Sequence, residues 1–312
     1  MEAAGATPRA ITSLGVARPR WGERLIVAAL FLCALVSVAT TVAIIASLVQ
    51  PTIEFFGEVG VADFFLHSDW SPLFAPPSFG VLPIVVGTLS TTFWAILVCI
   101  PLGLGAAIYL SEYAHPRTRR ILKPALEVLA GIPTVVYGFF ALTFVTPLLQ
   151  DLWLFGEPPG VFNALSAGLV MGVMIIPTVA SLSEDAMAAV PHGLRQGAYA
   201  LGGTKLQVST KVVVPAALSG IVASFVLAIS RAVGETMIVL IAAGGTPNLT
   251  LNPAEAVQTM TAFIAATGIG DVAAGTTAYK TIFAVGSTLF VATFLMNLFA
   301  IRMVRRHREV YE

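Results

Sequence analysis

Six stretches of this chain are apolar over about 20 residues or more, the length a helix needs to cross a bilayer. They run over 25–49, 82–110, 125–149, 161–182, 215–244 and 281–303. The hydrocarbon layer offers no water to backbone polar groups, so each segment must pair its own, which at this length means a helix. The predicted fold class is an all-α membrane protein with six transmembrane helices. Composition agrees: 11% of residues are charged and 57% hydrophobic, against roughly 25% charged in a soluble domain. The first segment lacks a small-residue cleavage site, and its apolar core is about twice the length of a signal-peptide core. It is expected to stay as an anchor.

Orientation follows from the basic residues. Arg9, Arg18, Arg20 and Arg24 precede segment 1. Arg117, Arg119, Arg120 and Lys123 follow segment 2, and Arg195, Lys205 and Lys211 follow segment 4. Arg302, Arg305, Arg306 and Arg308 close the chain. The alternate loops, 51–81, 150–160 and 245–280, hold only Lys280. Thus 15 of 17 basic residues share one side, which the positive-inside rule makes cytoplasmic. Both termini are therefore predicted inside. Residues 1–24 form a cytoplasmic arm, 25–303 the transmembrane domain, and 304–312 a cytoplasmic tail. The formal net charge is zero, which argues against a nucleic-acid partner. Cys33 and Cys99 both lie in apolar runs, so neither a disulfide framework nor a metal site is expected.

The connection at about 191–214 is unusual for a link between two spans. A short helix fits 192–201, with Leu194, Ala198 and Leu201 on one face, and Gly202-Gly203 can end it. Thr204 then opens a second helix, making a capping box with Gln207. A helix–turn–helix lying on the inner membrane surface is predicted, either as a partnerless amphipathic segment or as a docking element. In segment 4, Gly168 and Gly172 form a G-x-x-x-G that permits close helix approach without naming the helix approached. Seven aromatic residues between Phe55 and Phe79 crowd the first external loop. They suit an interfacial belt or a docking surface for an external protein.

Segment 5 carries a charge inside the membrane. Arg231 lies 16 residues beyond Pro215, about 24 Å along a helix. An arginine there costs at least about 2.5 kcal/mol. Glu235 is at i+4, so on a continuous helix the two side chains share a face. Two readings stand: an ion pair that holds the helices together, or an anion site along a polar pathway, for which a planar, permanently charged guanidinium is suited.

The 191–215 loop resembles the E-A-A-x3-G-x9-I-x-L-P loop of ATP-binding-cassette (ABC) importer permeases. The register gives Gln196-Gly197-Ala198, then Gly202, then Val212-Val213-Val214-Pro215. Gln196 replaces the glutamate and Gly197 the first alanine. Other strings resemble the permeases of phosphate-specific importers, the PstC/PstA pair. They are R-A-V-G-E-T at 231–236, Gly131-Ile132-Pro133-Thr134-Val135-Val136-Tyr137-Gly138, and the S-x-S-E-D-A run at 181–186. The stretch Trp70-Ser71-Pro72 to Gly87-Thr88-Leu89 is similar to PstC in particular. The resemblance covers roughly residues 25–305 and implies the type I ABC importer permease fold.

It further implies a permease subunit of an ATP-driven phosphate importer, with Arg231, Glu235 and Thr236 on the substrate pathway. Gln196, Gly197, Ala198, Gly202 and Pro215 would belong to the loop that couples to the ATPase. The implied partners are a second homologous permease subunit, two ABC ATPase subunits, an external phosphate-binding protein and the lipid of a bacterial inner membrane. No cofactor is expected on this chain. ATP and magnesium would sit on the partner ATPase, because Gly202-Gly203-Thr204-Lys205 lacks the spacing of a phosphate-binding loop. Sulfate or molybdate import, a transporter driven by an ion gradient, and a membrane sensor remain as alternatives.

Overall fold

A computed structural model describes residues 21–154 and 156–306, apart from the side chains of Trp21 and 303–306. Arg9, Arg18 and Arg20, the side chains of Arg305 and Arg306, and Arg308 lie outside that description, as do most of the proposed arm and tail. The chain divides into two compact units, one ending at Ser47 and one beginning at Leu48.

The first unit holds most of helix α1 (Trp21–Glu58). Every residue from Gly22 to Ile44 is exposed, and nearly all are apolar. Thr40 and Thr41 donate their hydroxyls to the Val36 and Ser37 carbonyls one turn back. Their polar groups are thus satisfied within the helix, which leaves an outer surface suited to lipid.

In the second unit the central pair is α3 (Leu82–Ile108) and α7 (Ala164–Ala188). The G-x-x-x-G of segment 4 finds its partner here. A Cβ at Gly168 would fall 2.6 Å from Trp94 Cβ, and one at Gly172 2.8 Å from the Ala95 carbonyl oxygen. Only glycine lets the backbones approach this far. Asn163 caps α7, accepting from the Ser166 amide. Buried hydroxyls tie further helices on. Ser183 bonds Ser224 of α11 (Leu218–Val233), and Ser230 of α11 donates to Asn297 of α14 (Thr277–Arg306).

Among the described residues, five helices are long and apolar enough to cross a membrane. Segment 5 differs from the predicted 215–244 helix. Helical run Lys205–Ala216 meets α11 at 71°, with Pro215 just before the bend, and α11 itself stops at Val233. A six-residue helix, α12 (Met237–Ala242), follows the break. Segment 3 is also shorter than predicted. Residues 116–130 form a separate amphipathic helix, α4 (Pro116–Ala130), and Gly131 and Pro133 divide it from α5 (Thr134–Phe140). The span continues through a π-helical turn into α6 (Thr146–Asp151). Pro133 disfavours helical backbone at Ile132 before it, so hydropathy across the break overstated the span.

Among the described residues, three π-helical turns occur, at Tyr109–Tyr113, Ala141–Val145 and Ser209–Val213. Each is followed within three residues by a proline: Pro116, Pro147 or Pro215. Proline has no amide to donate to the carbonyl one turn back, and a wider turn re-pairs neighbouring groups.

The external loops are more ordered than a simple link requires. A short helix α2 (Val61–Leu66) and a two-residue hairpin, β1 (Trp70–Ser71) with β2 (Ser78–Phe79), cover the outer end of α3. Phe55 and Phe64 are fully buried, their rings 5.5 Å apart edge to face, and buried Trp70 lies 4.8 Å from Phe263. Of the two expectations for these aromatics, the interfacial belt fails for these three: they form the core of the outer face. Segment 245–280 adds helix α13 (Met260–Ile269), which the loop assignment missed. Its first turn is buried against α3, where the Met260 amide donates to Thr88.

Candidate functional site

The break between α11 and α12 brings together residues from two sequence motifs and from helix α13. α11 ends at Gly234, whose amide still donates to the Ser230 carbonyl, while the Glu235 amide turns to Ala232 instead of Arg231, so Arg231 and Glu235 do not share one helix face. The i,i+4 pair expected from spacing is absent. Glu235 is buried instead, and its Oε1 accepts from the backbone amides of Met237 (3.1 Å) and Ile238 (3.3 Å). The carboxylate thus satisfies the open amides at the start of α12, a favourable place for negative charge. Thr236 lies in the break, its hydroxyl directed at the Gly234 carbonyl at 3.4 Å.

Arg231 is exposed on the last turn of α11 and has no ion-pair partner among the described residues. Tyr137 lies within electrostatic range of it. The Tyr137 hydroxyl donates to the Leu129 carbonyl (2.8 Å), closing the gap that Gly131 and Pro133 open between α4 and α5. α5 packs on α12, with Gly138 against Ile241 and the Met237 carbonyl. Thr261 of α13 donates to the Glu235 carbonyl at 2.6 Å. The G-I-P-T-V-V-Y-G and R-A-V-G-E-T strings, about 100 residues apart, therefore meet at one place. Sequence reasoning passed over Tyr137 and Thr261 as site residues. The motif around Tyr137 was visible, whereas nothing local marked Thr261.

The connection at 191–214 follows its sequence closely. α8 (His192–Ala200) carries Gln196, Gly197 and Ala198. Gly202 has φ +81°, the left-handed conformation that glycine adopts without penalty. Thr204 and Gln207 make both bonds of the capping box at the start of α9 (Lys205–Val208). A π turn then leads to α10 (Val214–Ala216), which contains Pro215. Leu201 is 91% exposed and Leu206 64%, an apolar surface on the side away from the bundle. Leu201 was expected on the helix face with Leu194 and Ala198. It lies instead just past the end of α8 and projects outward.

The inner ends of the helices hold further charge. Glu184 of the S-x-S-E-D-A run is fully buried, bonded by Arg119 and by Lys123 at 2.7 Å, and Lys123 also reaches Asp185 at 3.1 Å. These bases, which follow segment 2, thus fasten α4 to α7. On the outer side, a cavity of about 820 Å³ opens between the β1–β2 hairpin and residues 258–278.

Residues 99–307 match the family model for the binding-protein-dependent transport system inner membrane component. The chain is 37% identical to a probable ABC transporter permease protein, YqgH, of Bacillus subtilis, over 92% of this chain and 91% of that one. It is 36% identical to the phosphate transport system permease protein PstC 1 of Mycobacterium tuberculosis, over 80% of this chain and 78% of that one. Among solved structures, a bacterial ABC transporter involved in alginate import aligns with TM-score 0.59 and 16% identity, covering 91% of this chain and 99% of that one. The inward-facing MetNI methionine ABC transporter aligns with TM-score 0.52 and 20% identity, over 74% and 95%.

Proposed function

The chain belongs to the family of binding-protein-dependent transport system inner membrane components, a permease subunit of an ABC importer, and on that premise we propose that its substrate is phosphate. Relatives that carry the name phosphate transport system permease support this reading. So does the observation that carries it: an exposed arginine, free of any carboxylate among the described residues, at a break within a membrane helix. A guanidinium in that position offers a permanent charge and a fork of donors to an oxyanion. Glu235 spends its charge on the α12 amides and so leaves Arg231 free to bind. Its residual negative field, a few residues away, would keep an anion from being held too tightly. Thr236, in the same break, would offer a hydroxyl.

The remaining partners follow from the same reading. A second permease would close the pathway opposite Arg231. Two ATPase subunits, holding ATP and magnesium, would each seat a coupling loop. In this chain that surface would be Gln196, Gly197, Ala198 and exposed Leu201, with Gly202 and Pro215 setting the shape of the loop. An external phosphate-binding protein would dock on the outer face, where the cavity beside Trp70 opens.

The test is uptake of labelled phosphate into inner-membrane vesicles holding the whole assembly. Uptake should require ATP and should persist in excess sulfate. Uptake without ATP would point to a gradient-driven transporter, and equal competition by sulfate would assign the site to oxyanions in general.

A further inference from the structure

Arg195 sits on α8, next to Gln196, yet its side chain points away from the exposed loop surface and is only 13% exposed. Its guanidinium makes three bonds. Nη1 donates to the Val190 carbonyl at 2.6 Å, and Nη2 donates to the Met187 carbonyl at 2.7 Å and to Glu112 Oε1 at 3.1 Å. The two carbonyls lie at and just past the C-terminal end of α7, where the helix dipole favours a cation. Glu112 is buried in the π turn that ends the α3 span, and Ser111 also donates to it at 3.0 Å. One side chain of α8 therefore holds the inner ends of both α3 and α7, the two helices packed through Gly168 and Gly172. The second arm of the loop touches the same π turn, with Lys205 Nζ 5.0 Å above the Tyr113 ring.

We infer that Arg195 is the positioning residue that carries displacement of the coupling loop into the α3–α7 pair. The chain enters α8 through Pro191 and leaves it through Gly202. Without Arg195, α8 would swing on these two ends, and a push from the ATPase would be absorbed there. With it, α8 and the inner ends of α3 and α7 move together. α3 runs to the outer face, where Thr88 holds the first turn of α13, and α13 in turn holds the break through Thr261 and the Glu235 carbonyl. The inference rests on the coupling-loop reading above and names the residue that makes the loop effective.

The test uses the full assembly in vesicles, with uptake and ATP hydrolysis measured on the same preparation. Arg195→Gln should retain its ATPase subunits and hydrolyse ATP, while phosphate taken up per ATP falls about tenfold, the scale of losing one charge-assisted contact. Arg195→Lys should fall between the two, because one ammonium cannot span all three acceptors. A structural role alone would lower the amount of assembled protein and leave uptake per ATP unchanged, which overturns the inference. Loss of ATPase subunits from Arg195→Gln also overturns it, since Arg195 would then serve docking. Should Arg195→Gln fail to fold, Glu112→Gln keeps both carbonyl bonds and should show a smaller fall in uptake per ATP, of about threefold; no fall there counts against the inference. A photo-crosslinker at Leu201 of the otherwise native chain separates the two levels. If it captures no ATPase subunit, the coupling-loop reading fails whatever the variants do.

Discussion

Arg231 and Glu235 are four residues apart and do not pair, whereas Arg195 and Glu112 are 83 residues apart and do. Spacing favours the first couple only on an unbroken helix. Gly234 ends α11 between its two members, and Glu235 then finds better acceptor work at the amides of α12. The second couple has no sequence relation at all. It forms because α3 and α7 lie side by side and only three residues separate α7 from α8. The difference separates two uses of charge in a membrane protein. One arginine is fully engaged and shielded, as suits a mechanical joint, and the other is left open, as suits a ligand contact.

The contrast is easiest to break at Arg231. With no ion pair to lose, Arg231→Gln should leave the amount of assembled protein unchanged. Uptake should fall roughly a hundredfold, as expected from removing about 3 kcal/mol of charge-assisted binding. Wild-type uptake in this variant would remove Arg231 from the pathway.

Double-mutant cycles on thermal stability sharpen the same contrast. Arg195→Gln with Glu112→Gln should show a coupling of about 1–3 kcal/mol, while Arg231→Gln with Glu235→Gln should add to within about 0.5 kcal/mol. Coupling of similar size in both would mean that the second pair meets after all. In the loop, Gly202→Val forces a β-branched residue to positive φ at a cost of about 1–2 kcal/mol. Retention of the ATPase subunits should weaken roughly tenfold, and unchanged retention would show that the turn is dispensable. The smallest effect is expected at the break. Glu235→Leu removes a cap and should cost about 1 kcal/mol. Glu235→Gln should cost less, since its amide oxygen still accepts from Met237 and Ile238. Equal losses in a denaturation series would argue against capping.

The parts of the molecule that sequence rendered well are those governed by near neighbours. The capping box of Thr204 and Gln207 and the turn at Gly202 depend on bonds spanning two or three residues. Hydropathy likewise located six apolar segments, since a lipid environment acts on each residue separately. It failed at Gly131–Pro133 and at Gly234–Thr236, where the chain stays apolar while the helix stops. Hydropathy is blind to a missing amide or a helix end. The aromatic cluster from Phe55 to Phe79 was visible as composition, but its burial depends on α13, nearly 200 residues on. Arg195 was counted as one of the cytoplasmic bases; its bonds to Glu112 and the α7 carbonyls required the fold.

The 71° bend at Ala217 makes the loop a crank. The arm Lys205–Ala216 lies across the end of α11 and, at 1.5 Å per residue, is about 18 Å long. Each ångström of sideways travel at its tip turns α11 by about 3°, and a side chain about 6 Å from the helix axis then moves about 0.3 Å. The linkage is geared down threefold. In the proposed importer a partner would travel about three ångströms at the loop to shift a side chain of α11 by one, so thermal jitter of the loop would reach Arg231 attenuated, while a full stroke would still arrive.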